Sequence, residues 1–181
     1  GLVIIEPVSV TADGREHPKQ PCIHLPQSVV ELKKIADVVH AEGRFVCLHV
    51  NHAGAAANPK IIGGQPKAPS VMTCVAREGN VSEALTEEDI EIILGGYKSA
   101  AEKAKEAGFD IIEIQGGHGY LISQFLNRKL NKREDRYGRD RLLFAREAIA
   151  AVKQGAHDFP CILRISAQEM SPESGIRQED L

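Results

Sequence analysis

Four short, almost uninterrupted apolar runs, at residues 2–5, 45–50, 110–114 and 161–165, constrain this chain more than any other feature of it. Runs of this kind, too short for helices, read as parallel strands covered on both faces. Amphipathic helical patterns lie between them. Ser28–Ala41 places Val29, Leu32, Ile35, Ala36, Val39 and His40 on one side. Residues 86–107 open with Thr86-Glu87-Glu88-Asp89, a helix start with acids in its first turn, and stop at Gly108. Residues 142–153 carry Leu143, Ala145, Ala148, Ile149 and Val152. The order β-α-β-α-β-α-β predicts an α/β fold with a parallel sheet and right-handed crossovers.

An open doubly wound sheet and a closed (β/α)8 barrel both satisfy that order. No GxGxxG or GxxxxGK[ST] follows any of the runs, so the usual nucleotide fingerprints of open sheets are absent. Polar residues gather instead where each run ends: Glu6; His49, Asn51 and His52; Gln115 and His118; Arg164 and Ser166. Function-bearing residues at the C-terminal ends of several strands are what a TIM barrel offers. Such a barrel needs about 250 residues, so the 181 residues read as one partial barrel domain with its first and last strands absent. Residue 1 already lies in a strand pattern, and residues 175–181 read as the lead-in to a helix. An isolated half-barrel would leave two open edges, a pairing liability. Residues 51–85 show little periodicity, and a structureless loop of that length is expected to be functional or mobile.

A net charge of −3 and 4% aromatic residues, with no basic stripe, exclude nucleic acid as the main partner. No apolar run approaches the roughly 20 residues of a membrane span. The first residues lack a basic segment and run straight into Glu6, so they read as a strand rather than a signal peptide. Cys22, Cys47, Cys74 and Cys161 are widely spaced without CxxC, which suggests reduced thiols and a cytoplasmic protein. A homo-oligomer stays open.

The most specific segment is Glu-Ala-Gly-Phe-Asp-Ile-Ile-Glu-Ile-Gln-Gly-Gly-His-Gly-Tyr-Leu-Ile-Ser-Gln-Phe-Leu at residues 106–126, followed by Asn131, Arg133, Asp135 and Tyr137-Gly138. It closely resembles the fourth-strand signature of the old yellow enzyme family, which includes ene-reductases, NADH:flavin oxidoreductases and dienoyl-CoA reductases. Residues 1–6 are similar to that family's second strand. Leu48-His-Val-Asn-His-Ala-Gly54 and Ala68-Pro-Ser70 resemble its third strand and following loop, and Ile162-Leu-Arg-Ile-Ser-Ala167 resembles its fifth. The resemblance implies strands 2 to 5 of a TIM barrel with noncovalent FMN over the C-terminal mouth. NAD(P)H would reduce the flavin, which would pass hydride to an activated alkene, enone, quinone or similar small-molecule acceptor.

By the same resemblance, His118 holds the oxygen of the acceptor's activating group, Gln115 stands beside it where the family usually has His, and Tyr120 supplies a proton. Arg164 faces the flavin N1/O2 edge. His49 replaces the usual Gln at the flavin pyrimidine edge, and His52 organises the loop. Pro7 stands where a backbone N–H usually reaches the flavin O4 region, and proline has none. Ala55 replaces a frequent arginine. Asn131, Arg133 and Asp135 read as ties for the loop after the fourth strand, and Lys132, Arg136 and Arg139 as a solvated basic face. Plainer readings stand beside these: a salt bridge for Arg164, a backbone-bonded loop histidine at 118, a packing tyrosine at 120. His49, His52 and His118 together pose a zinc alternative. Pro7, Gln115 and His49 pose another, a catalytically impaired barrel fragment that keeps the scaffold and binds no flavin.

Overall fold

A computed structural model of the chain describes residues 1–74, 77, 79–167 and 176. In chain order it contains β1 (Leu2–Ile4), β2 (Val8–Ser9), α1 (Ser28–Ala41), β3 (Phe45–Asn51), α2 (Pro59–Ile62), β4 (Lys67–Ala68), β5 (Glu83–Ala84), α3 (Glu87–Glu106), β6 (Ile111–Gln115), α4 (Leu121–Leu126), α5 (Arg136–Arg139), α6 (Leu143–Gly155) and β7 (Cys161–Arg164). The main sheet runs β1-β3-β6-β7, parallel throughout, with β2 also pairing β3. The four predicted strands and three predicted helices form this frame. Among the described residues, β1 and β7 are its edges.

The first strand line is broken. Ile4 pairs with Cys47 but Val8 with Val50, so four steps on one side match three on the other. The extra residue is a bulge in the segment holding Pro7, which cannot donate to a ladder.

Side chains alternate between the two faces of a strand, and the register assigns each a face. The outer face is apolar. Val46, Leu48, Val50, Ile112 and Ile114 are fully buried in one core with Leu32 and Ala36 of α1, Ile90, Ile93 and Tyr97 of α3, and Phe144 and Ala148 of α6. Caps fix α3 where the sequence places them. Thr86 Oγ1 accepts from the Asp89 N–H at 3.1 Å, and the Asp89 carboxylate accepts from the Thr86 N–H at 2.9 Å. Gly108, at φ +81°, ends the turn beyond it. Two helix assignments shift: His40 is exposed, its Nε2 2.9 Å from the Asp110 carboxylate, and Ile35 of α1 is 40% exposed. It sits about 100° around the helix from Ala36, off the stripe that meets the sheet.

The described residues between 51 and 85 are folded, contrary to the expectation of a structureless loop. Asn58 caps α2 through its bond from the Lys60 N–H at 3.1 Å, Gly63 closes α2 at φ +71°, and β4 pairs with β5. Beneath them Ala53, Ala55, Ala56, Ala57, Ala68 and Cys74 form a second small core. So many alanines leave a weak periodic signal. Asn131 and Arg133 do tie down the later loop. Asn131 Nδ2 donates to the Phe125 and Tyr137 carbonyls, both at 2.9 Å, and Arg133 bonds Asp135 and the carbonyls of Pro69 and Leu85. Among the described residues no helix is long and apolar enough to cross a membrane. The lead-in expected at residues 175–181 lies outside the described residues, apart from Ile176, which is buried.

Candidate active site

The inner face of the sheet changes character along its length. Leu2, Ile4, Phe45, Ile111 and Ile162 occupy its N-terminal half. His49, Asn51, Glu113, Gln115 and Arg164 occupy the C-terminal ends, His49 beside Glu113 and Gln115 beside Arg164. All these polar residues except Arg164 are buried.

Glu113 ties two strands together. Its carboxylate accepts from Arg164 Nε at 2.8 Å and Nη2 at 3.3 Å. It also lies 3.7 Å from His49 Nδ1. The salt-bridge reading of Arg164 is therefore met, yet Nη1 keeps no partner among the described residues and the side chain is 41% exposed. Burial pushes the His49 imidazole below its ordinary pKa; Glu113 opposes this while Arg164 and His118 reinforce it. His49 is thus neutral at pH 7, and its Nε2 is buried with no partner among the described residues. Asn51, one step beyond on the same face, has both amide atoms buried and without partners among the described residues.

Gln115 is spent internally. Its Oε1 accepts from the Gly117 N–H at 3.0 Å, and its Nε2 lies 3.3 Å from His118 Nδ1. His118 is exposed and holds a left-handed backbone at φ +58°, uncommon for a side chain of its size. Its N–H donates to Ser166 Oγ at 3.1 Å. That serine packs so close that a Cβ on Gly117 would fall 2.8 Å from Oγ. Tyr120, at the start of α4, packs against the alanine core. Burial first, then the Glu16 carboxylate it bonds, push its phenol up to about 12. Pro7 offers only its carbonyl, which accepts from Gln20 Nε2 at 3.3 Å.

His52 organises the loop. Its Nδ1 accepts from the Gly54 N–H at 3.0 Å, and Nε2 lies 3.5 Å from Asp13. Burial alone would raise the Asp13 carboxyl, but His52 and Thr11 hold it well below the usual range. Gly54, at φ +60°, is required, because a Cβ there would sit 2.2 Å from Gln124 Oε1. Gln124 in turn bonds Ala55 N, Ala53 O and Gly119 O, locking the third and fourth loops together. The rings of His49, His52 and His118 thus face three different sets of partners. Among the described residues no group of three His, Cys, Asp or Glu is placed to hold a metal.

Sequence reasoning passed over Glu113, Glu16 and Gln124. Only Glu113 left a signal, a lone acid inside the run Ile-Ile-Glu-Ile. Two clefts of about 510 and 560 Å³ lie elsewhere, one between Ser70 and Arg133, the other between Asp13 and the Gly95 side of α3.

Polar side chains converging at the C-terminal ends of adjacent parallel strands, over an apolar floor, define part of a (β/α)8-barrel mouth. The chain belongs to the NADH:flavin oxidoreductase / NADH oxidase family, whose sequence profile it matches over residues 1–180. It is 36% identical over 176 residues to an NADPH dehydrogenase of Geobacillus sp. (strain WCH70), covering 96% of this chain and 50% of that protein. It is 38% identical over 183 residues to an NADPH dehydrogenase of Listeria monocytogenes serotype 4b, covering 99% and 52%. The old yellow enzyme of Pichia sp. AKU4542 superposes with a TM-score of 0.87 at 30% identity, over 97% of this chain and 49% of that one. Morphinone reductase in complex with tetrahydroNAD superposes at 0.89 and 25%, over 97% and 53%. The chain spans about half the length of the curated relatives it matches.

The residues present fit a flavin. His49 Nε2, the Asn51 amide and Arg164 Nη1 are polar groups without partners among the described residues, at neighbouring strand ends on one face. A ring edge that mixes carbonyl oxygens with N–H is the chemistry they match.

Proposed function

We propose that this chain is the flavin-facing part of an FMN-dependent oxidoreductase that uses NAD(P)H to reduce an activated alkene, enone, quinone or similar acceptor. When bound, FMN supplies hydride transfer, which no side chain can provide. The protein's part is to hold, polarise and exclude. Arg164, held at Nε and Nη2 by Glu113, keeps Nη1 and a positive charge for the electron-rich edge of the ring system. His49, neutral, offers one further bond through Nε2. His118 donates to the acceptor's oxygen, which draws electron density from the carbon under attack. Tyr120 carries a proton on its hydroxyl, and Glu16 orients it.

The observation that carries this reading is the set of polar atoms, without partners among the described residues, beside the Arg164–Glu113 pair on the inner face, in a chain of this family. The full-length protein should purify yellow and bleach when NADPH or NADH is added without oxygen. Arg164→Met should weaken FMN binding by roughly 10-fold or more, the scale of one charged hydrogen bond. A colourless full-length protein that leaves free FMN fluorescence unchanged would sink the reading in favour of a scaffold that binds no flavin.

A further inference from the structure

The hydrogen bonds around Gln115 leave no freedom in how its amide is oriented. The Gly117 N–H can only donate, so the side-chain atom 3.0 Å away from it must be the amide oxygen. The amide nitrogen then faces His118 Nδ1 at 3.3 Å. An amide NH2 can only donate, so Nδ1 must present its lone pair. A neutral imidazole with a bare Nδ1 carries its hydrogen on Nε2. No partner holds Nε2 among the described residues, and the residue is exposed on the mouth side. The His118 backbone is pinned independently by Ser166 Oγ, so the ring is fixed from both ends.

We infer that Gln115 is a positioning residue: it relays the Gly117 N–H to the ring and fixes His118 as the Nε2–H tautomer. The outward nitrogen is thereby committed to donating. This deepens the proposed function and rests on it for the identity of the partner. The site selects acceptors that present an oxygen next to the reacting carbon. It does not serve substrates that must first lose a proton to the ring, such as amines or alcohols. Gln115 itself, with both amide ends engaged and the residue buried, acts through His118 rather than by touching the substrate.

The test is nitrogen-15 NMR of histidine-labelled, full-length, FMN-loaded protein, with the His118 signal assigned by its loss in His118→Asn. The wild type should show an Nε2–H ring with an unprotonated Nδ1. Gln115→Glu replaces the donor by an acceptor and should move the hydrogen to Nδ1 or protonate the ring. Should Gln115→Glu fail to fold, Gln115→Met removes the donor without adding charge and should leave a mixture of tautomers. In the folded variant, the KM for cyclohexenone should rise about 5- to 10-fold, the size of one neutral hydrogen bond. An Nδ1–H ring in the wild type would overturn the inference, as would a His118 signature indifferent to both substitutions. Failure of the flavin reading itself would show differently, as a protein with the expected ring signals and no colour.

Discussion

The two faces of the main sheet differ in what their side chains lack. On the outer face, Val46, Leu48, Val50, Ile112 and Ile114 are buried against three helices and need nothing more. On the inner face, His49, Asn51, Glu113 and Gln115 are also buried but polar, and two of them keep atoms without partners among the described residues. A buried polar atom left unbonded costs about 1–3 kcal/mol. The outer face therefore supplies stability, and the inner face gives some of it up for binding. The strand ends afford this because the helices behind them are capped and packed, so the orphaned groups sit on a rigid support.

The comparison breaks most visibly on the outer side. Ile112→Ala empties a fully buried site between sheet and helices, and should cost about 2–5 kcal/mol in denaturant unfolding of the full-length protein. The fraction that remains folded should bind FMN as the wild type does. Loss of flavin affinity without loss of stability would mean the two faces are not separable.

An inner-face change should do the reverse. Asn51→Leu removes two unpartnered atoms at nearly constant volume, so the flavin-free protein should gain about 1 kcal/mol. FMN should bind roughly 5- to 10-fold more weakly, because a bond made only in the complex is gone. Thermal melts with and without FMN read both effects at once. A destabilised flavin-free variant with normal FMN affinity would show that the amide has a structural role instead.

What was legible beforehand follows the same division. The outer face announces itself, because burial leaves a periodic apolar pattern: Ser28–Ala41 appears at its predicted bounds, and Thr86 and Asp89 cap the helix they flank. The inner face was legible as residue types at strand ends and illegible as partners. Glu113 and Arg164 are 51 positions apart and meet only because β6 and β7 pair in one register. Gln115 stands where the resemblance puts a histidine beside His118, and its amide is consumed by Gly117 and His118, a local turn geometry that residue types do not encode. The alanine core under residues 51–85 was missed because small side chains carry little hydrophobic contrast. Ile35 shows the opposite error, an apolar residue counted into a stripe that it flanks.

The sharpest control for the comparison is an orphaned atom on the wrong face. The Tyr97 hydroxyl sits in the outer, helix-covered layer, fully buried, with no partner among the described residues, and burial pushes its pKa far up. If unpartnered polar atoms matter only where a ligand can meet them, this one is a plain packing cost. Tyr97→Phe keeps the ring in the core and deletes only the oxygen. The full-length protein should then gain up to about 1 kcal/mol, with FMN affinity and His118 signals unchanged. The contrast with Asn51→Leu is the point: both remove an orphan, and only the inner one should weaken flavin binding. A Tyr97→Phe protein that melts lower than the wild type would show that the hydroxyl is satisfied in the folded state. An unpartnered atom would then be no guide to function on either face.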